Sequence, residues 1–76
     1  MRIYLGGHLD FYHPENGRWL EIPLVRPIIL ADLFDELGVP RYEVHLAVVG
    51  EEQVDPQKAQ VTDRDVVRLF SAVNGG

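Results

Sequence analysis

Apolar positions change their spacing along the chain, and those changes divide it into elements. Residues 2 to 12 hold Ile3, Leu5, Leu9 and Phe11 in alternation around Gly6-Gly7, which predicts a strand with a bulge or bend near its middle. Pro14-Glu15-Asn16-Gly17 supplies a hairpin turn, with Gly17 able to take a positive φ. In residues 18 to 25 the aliphatic parity is Leu20, Ile22 and Leu24, against Trp19, Glu21, Pro23 and Val25. The aliphatic parity is expected to face the core, and Pro23 confines this strand to an edge. From Leu30 the spacing turns helical: Leu30, Leu33, Phe34 and Leu37 stand at i, i+3, i+4 and i+7 with Asp32, Asp35 and Glu36 between them. That predicts an amphipathic helix of about ten residues. Gly38 offers its left-handed cap and Pro40 stops continuation, whereas Ile28 and Ile29 stand where a capping Ser, Thr or Asp belongs.

Residues 42 to 49 set Val44, Leu46 and Val48 against Glu43, His45 and Ala47, a third strand ending at Gly50. The polar stretch that follows, with Asp55-Pro56, has room for one short strand or turn. Val66 to Val73 form a last strand, with Val67, Leu69, Ser71 and Val73 on one parity and Val66, Arg68, Phe70 and Ala72 on the other. The order hairpin, helix, strand, short segment, strand is α+β with a single helix across one face of a sheet. If the last strand returns beside the first, the result is a β-grasp, a mixed sheet of four to five strands. A split ferredoxin-like unit needs a second helix that residues 51 to 65, broken by Pro56, do not supply. One domain over residues 1–73 and a tail at 74–76 are expected.

Composition narrows the function. The chain has 76 residues, 46% of them hydrophobic, and no cysteine, so disulfides, thiolate metal sites and thioester chemistry on its own side chains are excluded. Its net charge of −5, with the seven basic residues scattered singly, argues against nucleic-acid binding and fits an acidic module docking on a basic partner. No apolar run approaches a bilayer span and no signal peptide opens the sequence; a cytoplasmic monomer without membrane association is expected.

The sequence closes on Asn74-Gly75-Gly76, directly after the last strand. With glycine near 7% of average usage, a closing pair arises by accident in about one sequence in 200. A frayed terminus, or a chain cut at that point, accounts for the same residues. The functional account is steric. Converting a terminal carboxylate into an activated acyl group requires another enzyme to bring it against the α-phosphate of ATP, and glycine, with no Cβ, can thread a narrow channel. Gly76 then carries the reacting carboxylate, Gly75 gives clearance, and Asn74 is the hinge.

Leu37-Gly38-Val39-Pro40, Glu43-Val44, Val48-Val49-Gly50, Asp63-Arg64-Asp65-Val66-Val67 and the closing Gly75-Gly76 together resemble the ubiquitin-like sulfur carriers of the MoaD/ThiS type. The resemblance covers mainly residues 29 to 76, and the diglycine is its specific element. It implies that an E1-like adenylating enzyme (MoeB/ThiF type) with ATP and magnesium adenylates Gly76. The product becomes a thiocarboxylate that gives up sulfur to an accepting enzyme, in molybdopterin or thiamine biosynthesis or in tRNA thiolation. The chain departs from the family pattern at Val49 and Arg64, where Asn and Gly are common, and at Phe70-Ser71, where many members carry a proline pair. The same fold also serves protein modifiers joined through the terminal glycine to target lysines, and interaction subunits whose tail is chemically idle.

Further expectations concern the body. Phe70, Arg68 and Val66, with His45 and Ala47 of the third strand, are expected on the open face of the sheet as a docking patch for the activating enzyme. Lys58 is the only lysine, which limits attack of an activated carbonyl by the carrier itself; compositional drift explains the same fact. His8 and His13 with Asp10 between them suggest a metal site only weakly, since no third ligand is obvious. Ser71 is expected to point inward without a nucleophile elbow, Glu51-Glu52 reads as a solvated turn, and no glycine-rich phosphate loop is present, so ATP is assigned to the partner.

Overall fold

A computed structural model of the protein describes residues 1–72. Residues 73–76, with the predicted end of the last strand and the tail Asn74-Gly75-Gly76, lie outside the described residues. The elements are β1 (Arg2–Gly6), β2 (Trp19–Glu21), β3 (Ile28–Ile29), α1 (Leu30–Leu37), β4 (Leu46–Val49), β5 (Glu52–Gln53), β6 (Gln60–Val61) and β7 (Val66–Phe70).

Five strands form a mixed sheet in the order β2-β1-β7-β4-β5, with β3 and β6 as a separate two-stranded ladder. β1 and β7 run parallel at its centre, Ile3 opposite Val67 and Leu5 opposite Leu69; the other pairs are antiparallel. Ile3, Leu5, Val67 and Leu69 are wholly buried and pack in one cluster with Leu30, Leu33 and Phe34 of α1. The alternation read from β1 and β7 and the helical spacing read from α1 therefore meet across a single core, one helix against one sheet face. The last strand returns beside the first as expected, and β2 is an edge strand. Among the described residues no helix is long and apolar enough to cross a membrane.

Four expectations are corrected. The first strand does not run to residue 12: Gly7 takes φ +63°, which ends β1, and residues 9–12 and 14–16 form 3-10 turns. Leu9 is drawn completely into the core from the first of these, and Phe11, expected on the same face, is 75% exposed. The third strand starts at Leu46, because residues 41–43 form a further 3-10 turn behind Pro40. The final strand ends at Phe70 instead of running on through Ser71 and Ala72. The polar stretch holds two short strands, β5 and β6, where one was expected.

α1 has no side-chain cap at Ile29. Its first free amides are instead taken by backbone: Leu30 N–H donates to the Ala59 carbonyl at 2.8 Å and Ala31 N–H to the Pro56 carbonyl at 2.9 Å. Tertiary structure thus satisfies donors that no local residue can reach. The far end follows the sequence reading, with Gly38 left-handed at φ 74° and ψ 20°.

Candidate functional site: the open sheet face and the end of β7

Side chains on the other parity of the sheet point away from α1. In β7 these are Val66, Arg68 and Phe70; cross-strand pairing places Tyr4 beside Arg68, Trp19 beside Tyr4, and Leu46 beside Phe70. Three rings form a line across the strands, Trp19 to Tyr4 at 5.2 Å and Tyr4 to Phe70 at 5.9 Å between centroids, all tilted. Such tilted contacts are favourable aromatic geometry. Tyr4 and Phe70 are half-buried and Trp19 is 38% exposed. Arg2 lies over the Trp19 ring at 4.4 Å and also approaches Glu21 at 3.8 Å, while Arg68 reaches the Gly50 carbonyl at 3.4 Å. The face is aromatic at its middle and carries two guanidiniums, one of them beside the exposed Glu21 carboxylate.

Of the patch expected from sequence, Phe70, Arg68 and Val66 do share this face. Ala47 does not: it pairs with Leu69 and is 2% exposed in the core, and Leu46 and Val48 hold the open-face positions of β4. Both parities of this strand are apolar, so alternation alone cannot orient it; the antiparallel register against β7 does, because directly opposed residues share a face. His45 is exposed just before β4 begins, and its N–H donates to the Phe70 carbonyl at 2.8 Å. Tyr4 and Trp19 were missed as members. Each stands on the parity opposite buried neighbours, Ile3 and Leu5 or Leu20, so the pairing of β1 with β2 was the signal that could have found them.

At the end of β7 two glycines lie alongside, Gly6 as the last residue of β1 and Gly7 directly after it. A Cβ on Gly6 would come within 2.6 Å of the Phe70 ring and 3.0 Å of the Leu69 carbonyl, and a Cβ on Gly7 would collide with Ser71 Oγ. Ser71 is buried, as expected, and its hydroxyl accepts the His8 N–H at 2.8 Å. Arg18 steadies the same corner by reaching the Leu5 and Gly7 carbonyls, each at 3.4 Å. A shallow surface beside it is lined by His8, Asp10, Phe11, Tyr12, Pro14 and Glu43. Partial burial, then Glu43 and Tyr42, raise the Tyr12 phenol above its ordinary value, so it stays neutral at physiological pH.

No group of three His, Cys, Asp or Glu side chains among the described residues can hold a metal ion. His13 is engaged elsewhere: its Nε2 donates to the Leu37 carbonyl at 2.7 Å, at the C-terminal end of α1. Asn74, Gly75 and Gly76, the predicted reacting segment, lie outside the described residues. Compared with known proteins, the chain matches no family model and no curated protein.

Proposed function

We propose that the chain is a β-grasp carrier protein whose Gly76 carboxylate is activated by a separate ATP-using enzyme and converted to a thiocarboxylate. In the first step a carboxylate oxygen attacks the α-phosphorus of ATP and expels pyrophosphate, leaving an acyl-adenylate. In the second, sulfide delivered by a sulfur donor attacks the acyl carbon and expels AMP. The thiocarboxylate then gives its sulfur to an accepting enzyme. The protein contributes no catalytic side chain to either step; it presents a carbonyl and a surface.

The observation that carries the reading is the position of the last described residues. Ser71 and Ala72 leave the middle strand of the sheet beside an open aromatic face, so an enzyme that docks on Trp19, Tyr4 and Phe70 stands next to the point where the chain leaves the sheet. The guanidiniums of Arg2 and Arg68 favour an acidic rim on that enzyme around apolar anchors. The pairing of β1 with β7, with one helix between β3 and β4, supports the β-grasp body.

Intact mass spectrometry tests the reading on protein from its native host, and on protein incubated with an activating enzyme of that host, ATP, magnesium and sulfide. A mass gain equal to one oxygen exchanged for sulfur is expected. Conjugates of the chain on lysines of other proteins would establish the modifier reading in its place. An unchanged mass with an enzyme that turns over ATP, or a native mass extending beyond Gly76, would overturn the carrier.

A further inference from the structure

The end of β7 is held by contacts on both of its sides. Ser71 lies beyond the last paired residue of the strand and is still only 4% exposed, its hydroxyl on the His8 amide at 2.8 Å. Space for that hydroxyl exists because Gly7 has no side chain; a Cβ there would strike Ser71 Oγ and come within 3.1 Å of the Ser71 nitrogen. On the other side of β7 the His45 N–H holds the Phe70 carbonyl at 2.8 Å. Phe70 itself lies over Gly6, where a Cβ would be 2.6 Å from its ring. Two consecutive residues are thus gripped from both neighbouring strands, one on each face of the sheet.

We propose that Ser71 is a positioning residue for activation: seated in the Gly7 notch on the His8 amide, it fixes the point at which the chain leaves the sheet at Ala72. This inference rests on the carrier reading. The five residues beyond Ser71 can span at most about 18 Å, so the docked body limits how far the carboxylate of Gly76 can reach. With the root fixed, docking also orients the reacting group. With the root released, that ordering must be achieved at the chemical step, which lowers turnover and leaves binding of the body unchanged. Ser71 lies on the parity opposite the aromatic face, so its loss removes no docking contact.

The experiment is ATP–pyrophosphate exchange by the activating enzyme with carrier as the varied substrate, for the full chain and for Ser71→Ala, Gly7→Ala and Trp19→Ala. For Ser71→Ala and Gly7→Ala, kcat is expected to fall about tenfold with KM within about twofold of the parent, the signature of lost orientation. Trp19→Ala is expected to show the opposite split, with KM raised and kcat retained. Hydrogen exchange at the His8 amide should speed up in Ser71→Ala while amides of β1 and β7 keep their protection, which separates loss of the grip from global unfolding. Should the alanine variant not fold, Ser71→Cys, with a weakly accepting sulfur of similar size, is expected to give an intermediate kcat. Unchanged kcat in folded Ser71 variants, with the parent active, overturns the inference; a parent that supports no exchange overturns the carrier reading itself.

Discussion

Gly7 and Gly50 both take φ +63°, but only Gly7 has a neighbour where a side chain would grow. An alanine at Gly50 therefore tests the cost of the left-handed backbone alone, about 1–2 kcal/mol. Gly7→Ala adds displacement of Ser71, and is expected to cost at least about 1 kcal/mol more by overpacking; urea unfolding of the two variants measures the difference. Asp63 is a second residue with a separable role. Its Oδ1 accepts the Leu24 N–H at 2.8 Å and the Met1 ammonium at 3.2 Å, and these two contacts, the amide first, hold its carboxyl below the usual range. A lowered folded-state pKa means stability that is fully present above the unfolded value of about 3.9 and lost as pH falls through the folded value. The stability gap between the parent and Asp63→Asn should be widest near neutral pH and close below about pH 4; a gap constant down to pH 3 would contradict this. Phe70-Ser71 is where residue identity has its clearest structural reason: an aromatic ring over one glycine and a hydroxyl beside the next.

Elements were legible from sequence where one face is apolar and the other is not. β1 and α1 meet that condition; in β7 Arg68 alone marks the outer face beside Val66 and Phe70, and the buried residues, Ile3 and Leu5, Val67 and Leu69, Leu33 and Phe34, are those that the spacing selects. β4 fails it, since Leu46 and Val48 on one side are as apolar as Ala47 and Val49 on the other; only the register with β7 orients it. The segment between β1 and β2 was read as strand because Leu9 and Phe11 keep the parity of Leu5. A 3-10 turn breaks that relation, sending Leu9 inward and Phe11 to solvent. The start of α1 was illegible for a different reason: its cap is supplied from residues 55–59, far away in sequence. Asp55 builds that turn, accepting the Gln57 N–H on its side chain and the Lys58 and Ala59 N–H groups on its carbonyl. Asp55→Ala is expected to lose about 0.5–1.5 kcal/mol and to raise amide exchange at Leu30 and Ala31 more than at Leu33 or Phe34. Equal protection throughout α1 would separate the turn from the helix start.

Acidic side chains outnumber basic ones on the helix side, and basic ones outnumber acidic ones around the aromatic line. Asp32, Asp35 and Glu36 are exposed along α1, Arg41 bridging the first two at 3.2 and 2.8 Å, whereas Arg2 and Arg68 flank the aromatic line across the sheet. Net charge alone points to a basic partner; in the proposed reading that preference belongs to the helix side, and the open face meets an acidic rim on the activating enzyme. Raised ionic strength should therefore slow association with the activating enzyme, and Arg68→Glu should slow it further at low salt, readable in stopped-flow binding. What the sequence made plain at this scale is the sheet with its crossing helix; what it could not orient is the face, which depends on pairing between distant strands. In the carrier reading the chemistry falls on a single carbonyl, and fragmentation mass spectrometry of the chain tests whether it does. After incubation with activating enzyme, ATP and sulfide, the sulfur-for-oxygen exchange should appear in the fragment containing only Gly76. Sulfur found on any other residue, or Gly76 left as a carboxylate while ATP is consumed, would contradict the account.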